Sequence, residues 1–157
     1  MKVEIVNSFV QGAQSTLTMV CGQVDKLGKV FLKQPPYISN EISIIIGIHG
    51  DLNGHAIYTM DEKSGIFLAS KFMMGFDVHC MDEMSTSALM EISNIISGNA
   101  ASALFSHGFT VDITTPTYIK GQQDASAAFT FIKPESKLVC MPITFEGEQI
   151  FEVDLHF

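Results

Sequence analysis

The chain has 157 residues, 46% of them hydrophobic and 17% charged, which is the size of one domain (residues 1–157) with ample apolar material for a core, and excludes disorder. A net charge of −8 without a basic run excludes nucleic acid and anionic membrane surfaces as natural partners, because both need clustered Lys and Arg. The longest aliphatic run, Ile42 to Ile48, is interrupted by Ser43 and Gly47 and falls far short of the ~20 residues of a spanning helix. The opening MKVEIVNSF does not read as a signal peptide, so a cytoplasmic location and a protein or small-molecule partner are expected.

The apolar spacing of Val6, Phe9, Val10, Ala13, Leu17 and Val20 predicts an amphipathic helix over residues 3–21. Residues 26–40 form a connector with a short strand, VFL, followed by Pro35-Pro36. Residues 41–48 and 53–60 read as two strands joined through the turn sequence HGDLNG. A second helix is expected over 62–74, ended by Gly75, and a long third helix over 83–107 with Asp82 as its N-cap. The remainder reads as strands: TPTYIKG, SAAFTFIK, KLVCMPITFE and QIFEVDLHF, the last three punctuated by Pro134-Glu135-Ser136 and Glu146-Gly147-Glu148.

This order suggests a duplication. Residues 4–17 align with residues 91–104 and share Glu, Ile, Asn, Ala, Ser and Leu at matching positions. The expected fold is therefore α+β, an internal repeat of a helix plus antiparallel strands with the helices packed on a shared sheet.

The third helix carries the unusual pattern. Ser87, Glu91, Asn94 and Gly98 are spaced by four, three and four residues, which puts them on one face, while Leu89, Ile92, Ile96 and Ala103 point the other way. A Glu-Asn pair on a helix is ordinarily just a solvated face, and Gly98 has the competing explanation of close helix packing. Such a glycine costs about 1 kcal/mol relative to alanine and needs some reason.

Ser87-x-x-x-Glu91-x-x-Asn94-x-x-x-Gly98 resembles the signature of the CheC/CheX chemotaxis phosphatases, which remove phosphate from CheY-type response regulators. Asp82-Glu83 before the helix, GIHGDLNG (47–54) and VDITTPTYIKG (111–121) are similar to that family as well, and the single full signature favours the CheX branch. The resemblance implies a CheC-like fold, a hydrolase acting on a phosphorylated receiver in chemotaxis or related two-component signalling, and a homodimer formed through strands. It implies that Glu91 and Asn94 are catalytic, with Ser87 and Gly98 in support. No cofactor is expected on this chain, the Mg²⁺ belonging to the receiver. Glu4 and Asn7 repeat the pair in the first helix, but no residue precedes them to match Ser87, and Gln11 stands where Gly98 would be. They read as relics of duplication.

The chemistry suits these residue types. Phosphoryl transfer needs an attacking water in line with the leaving oxygen and little covalent help. A carboxamide accepts a hydrogen bond from water and donates one to a phosphoryl oxygen, which fits Asn94; a carboxylate such as Glu91 can pair with a receiver lysine. Two alternatives remain: a non-catalytic receiver-binding or flagellar-switch module, and a dimerisation domain. Other candidates are weaker. Cys21, Cys80 and Cys140 sit among apolar neighbours and read as buried, reduced thiols, with His79 the one base beside Cys80. No His lies at metal-ligand spacing, so no metal site is expected. Met73, Met74, Met81, Met84 and Met90 read as core filling, with a soft partner-binding rim as the alternative.

Overall fold

The computed structural model describes residues 1–25, 28–121, 129–133 and 135–157. Helix α1 (Val3–Cys21) is followed by strands β1 (Phe31–Lys33), β2 (Ile42–Gly50) and β3 (Gly54–Met60), then helix α2 (Glu62–Phe72). The second half starts with helix α3 (Glu83–Ser106) and continues through β4 (Val111–Ile113), β5 (Thr117–Lys120), β6 (Leu138–Phe145) and β7 (Glu148–His156). The strands form one seven-stranded antiparallel sheet in the order β1-β6-β7-β3-β2-β4, with β5 also paired to β2.

The sheet order is itself a repeat. Each half supplies a helix, a hairpin and exchanged strand material, one strand from the first half and two from the second. The β2–β3 hairpin abuts the β6–β7 hairpin at the centre; β1 from the first half edges the second hairpin, while β4 and β5 from the second half edge the first. The duplication seen in the helices therefore extends to the strands, with α2 as an insertion after the first hairpin.

All three helices cover one face. Alternation along the strands aims Ile42, Ile44, Ile46 and Ile48, Ala56, Tyr58 and Met60, Met141 and Ile143, and Phe151, Val153 and Leu155 into this core. From α1 come Ile5, Phe9, Ala13 and Leu17; from α3 come Ala88, Leu89, Ile92, Ile96, Ala100 and Leu104. Val6, Val10, Val20 and Ala103 are only half-buried, because α1 and α3 meet through smaller residues. Where they meet, a Cβ added to Gly12 would lie 2.6 Å from Ile96 O and 3.0 Å from Ala100 N, so only glycine admits this approach. Lys2 Nζ lies 5.2 Å from the Phe109 ring centroid, which puts the start of α1 beside the end of α3 and makes the two antiparallel.

The opposite face carries a smaller cluster of Tyr37, Ile57, Phe129, Ile132, Leu138 and Cys140. It corrects the reading of SAAFTFIK as a strand. Residues 126–128 lie outside the described residues, and Phe129 to Ile132 make a turn in which Ile132 N donates to Phe129 O at 2.8 Å. Two apolar residues three apart point together in a turn, whereas a strand would send them to opposite sides. Beside this cluster Tyr37 Oη and Lys33 Nζ each donate to Asp154 Oδ2 at 2.9 Å, and Lys33 also binds Glu152. Burial works against the Lys33 ammonium, but the two carboxylates outweigh it and hold its pKa up; burial and the Asp154 charge hold the Glu152 carboxyl above its usual range.

Strand β7 lies between β6 and β3 with its backbone paired on both sides, and the open edges are β1 and β4/β5. One further expectation is corrected. Cys80 is exposed and Cys21 half-buried; of the three thiols only Cys140 is buried. Cys80 occupies the loop between α2 and α3, where its apolar neighbours Val78 and Met81 turn inward and leave it outside. Among the described residues no helix is long and apolar enough to cross a membrane.

Candidate functional site

Helix α3 is held from below and open above. Its start is fixed by Asp82, which accepts from Ser85 N at 2.9 Å while Asp82 N donates to Ser85 Oγ at 2.8 Å. These bonds, led by that from the Ser85 N–H, hold the Asp82 carboxyl below its usual range. Ala88, Leu89, Ile92, Ile96, Ala100 and Leu104 recur at helical spacing and fasten the inner face to the core. Halfway along, Ser97 and the buried Tyr58 of β3 share a hydrogen bond of 2.6 Å, a polar pin between helix and sheet. Burial pushes the Tyr58 phenol well above its ordinary pKa, so it stays protonated.

The outer face carries the predicted residues. Ser87 and Glu91 are exposed, and Asn94 and Gly98 are half-buried at the shoulder of the helix. Glu91 and Asn94 are one turn apart, so their Cβ atoms stand about 5–6 Å from each other on a rigid support. Neither side chain has a hydrogen-bond partner among the described residues. Ser87 makes no bond to Glu91, although the spacing would permit one.

Gly98 decides between the two explanations of its presence. A Cβ built on it meets nothing within 4 Å. Close packing inside the chain therefore does not require this glycine. Its cost in helix propensity, about 1 kcal/mol, is unrecovered within the molecule. What the glycine leaves is clear space on the outer face near Asn94.

The repeat pair behaves differently. Glu4 and Asn7 are both exposed on α1, but α1 begins at Val3, so Glu4 sits in the first turn without a preceding turn. The N-cap residue Lys2 makes no side-chain cap bond.

Sequence reasoning missed one constellation. Cys140, Glu152 and Asp154 come together across the β6–β7 ladder, all buried, with ligand-type atoms within 4.8 Å of one another. Its signal was faint, because the donors are split between two strands and only Glu152 and Asp154 share the i, i+2 spacing of one sheet face. The Lys33 ammonium already binds both carboxylates, and the cluster lies on the sheet face away from α3. Of the methionines, Met73, Met81 and Met90 are half-buried as core filling requires, whereas Met74 and Met84 are exposed.

Residues 42–138 match the family model described as chemotaxis phosphatase CheX. The CheY-P phosphatase CheX of Thermotoga maritima is 29% identical over 99% of this chain and 96% of that protein. In the solved CheX–CheY–BeF3–Mg complex from Borrelia burgdorferi, the matching chain is 28% identical with a TM-score of 0.75, covering 98% of this chain and 97% of that one. A chemotaxis protein CheX from Desulfovibrio desulfuricans, at 24% identity and a TM-score of 0.78 over 98% and 99% of the two chains, shares the fold.

Proposed function

The chain belongs to the chemotaxis phosphatase CheX family, and from that membership we propose that it hydrolyses the aspartyl phosphate of a CheY-type response regulator. The observation that carries the mechanism is the outward stripe of α3, where Glu91 and Asn94 stand without internal partners beside the clear space at Gly98. The receiver brings the phosphoryl group, a Mg²⁺ ion and a lysine. Glu91 pairs with that lysine and sets the register of docking. Asn94 enters beside the phosphoryl group, accepts a hydrogen bond from a water and holds it in line with the leaving oxygen. The chain itself needs no metal for this. Because the water is placed by a side chain on a fixed helix, little ordering is left for the moment of reaction.

Gly98 keeps the shoulder of α3 bare so that the receiver backbone can approach, and Ser87 serves the interface a turn earlier. Glu4 and Asn7 take no part, lacking the turn that precedes the working pair. In the same reading the protein is cytoplasmic and pairs with a second copy along an open sheet edge. The β1 edge suits this best, since Phe31 and Leu32 are exposed on it.

The test is the decay of a phosphorylated CheY-type receiver in excess Mg²⁺, with wild type, Asn94→Ala and Glu91→Ala. Faster decay with wild type, abolished by Asn94→Ala while binding persists, supports water positioning. Saturable binding with unchanged decay would make the protein a binding module and refute the phosphatase assignment.

A further inference from the structure

We infer that Met84 and Phe105 are two apolar anchors that grip the receiver on either side of the reacting group. This rests on the phosphatase reading of α3 and deepens it. At 100° per residue, Met84, Ser87, Glu91, Asn94, Gly98 and Phe105 fall within an arc of about 80° on the helix. Met84 comes seven residues before Glu91, and Phe105 seven after Gly98. Both are well outside the core, at 60% and 70% exposure. A stray exposed apolar side chain is ordinary. Two of them on the functional stripe itself, one two turns before Glu91 and the other two turns after Gly98, form a pattern.

Charge gives the second argument. The chain carries −8, and α3 contains no Lys or Arg. The stripe offers an aspartyl phosphate no cation, and its one carboxylate, Glu91, finds attraction only at the receiver's lysine. Binding energy must come from elsewhere, and a methionine and a phenylalanine are the residue types that supply it in interfaces. A thioether adapts to the shape it meets, while an aromatic ring brings a large area at small entropic cost. Flanking apolar contacts also shut water out around a central polar group, leaving in place the one molecule Asn94 holds.

The reach is right for a single partner. Twenty-one residues of helix span about 31 Å, and a domain of about 100 residues is roughly 35 Å across. One receiver domain can therefore touch both anchors with its phosphorylation site between them.

The experiment is calorimetric titration of a CheY-type receiver, loaded with beryllofluoride and Mg²⁺, into wild type, Met84→Ser, Phe105→Ser and the conservative Met84→Leu. Phosphate release is measured alongside at saturating receiver, and melting curves check the fold. Each serine variant is expected to bind about 5- to 30-fold more weakly, with the saturated rate within about twofold of wild type and Met84→Leu close to wild type. Serine variants that bind as tightly as wild type would overturn the anchors, while leaving the phosphatase reading intact if Asn94→Ala still abolishes hydrolysis. Anchor-dependent binding without any acceleration of hydrolysis would keep the anchors and remove the phosphatase reading.

Discussion

Helices α1 and α3 descend from one pattern and lie antiparallel against each other, yet each has kept a different part of it. Both carry Glu-x-x-Asn with the glutamate exposed. In α1 the glycine faces inward, where a Cβ on Gly12 would stand 2.6 Å from the Ile96 carbonyl oxygen of α3. In α3 the glycine faces outward, where Gly98 has nothing near it. One helix uses its glycine for the fold and the other for its surface. The same residue type thus answers a structural need in one copy and an external need in the other, and the space around each glycine separates them.

The comparison can be broken most sharply at the asparagines. Asn94→Ala should slow receiver dephosphorylation about 100-fold at saturation, the usual penalty when a reacting group is misplaced by an ångström or so, whereas Asn7→Ala should leave the rate unchanged. Equal losses in a phosphate-release assay would mean that α1 carries a second working site. A smaller effect is expected from the glutamates. Glu91→Ala removes the charge-assisted pair with the receiver's lysine and should weaken binding of the beryllofluoride-loaded receiver about tenfold, while Glu4→Ala should not.

At the glycines the signs should oppose. Gly12→Ala must push apart two backbones, costing about 1–3 kcal/mol and outweighing the about 1 kcal/mol that alanine gains in helix propensity. Gly98→Ala meets no atom and should stabilise the fold by up to about 1 kcal/mol in urea unfolding while impairing the reaction with the receiver. If Gly98→Ala leaves both receiver binding and turnover at wild-type levels, the space beside Asn94 has no role in docking. The smallest effect lies at the helix starts. Asp82 is held below the usual carboxylate range in the folded state, so its cap is fully present at neutral pH. The cap is lost only as pH falls through that lowered value. The protection factor of the Ser85 amide, its exchange relative to the unstructured rate at the same pH, should therefore fall in acid. The start of α1, without a side-chain cap, should show no matching loss.

Much of this is legible in the residue order, for definite reasons. The borders of α1, α2 and α3 follow from apolar periodicity and from Asp82, and the β2–β3 hairpin from HGDLNG, because these are interactions between near neighbours along the chain. The stripe of α3 is likewise a matter of spacing, as is the alignment of Glu4 and Asn7 with Glu91 and Asn94. The shoulder positions of Asn94 and Gly98 are less legible, since helical spacing assigns a face without saying how high the neighbouring elements rise around it.

By itself, then, the sequence determined which residues share a face and which family the chain joins. Tertiary structure alone decided what covers each face. It set Gly12 against α3 and left Gly98 bare, put Cys80 outside and Cys140 inside, turned Phe129 to Ile132 across the sheet and placed β7 at its centre. Periodicity is local, fixed by the geometry of one helix or strand. Burial is a property of pairs of elements far apart in the chain, settled only when the exchanged strands and antiparallel helices close on one another.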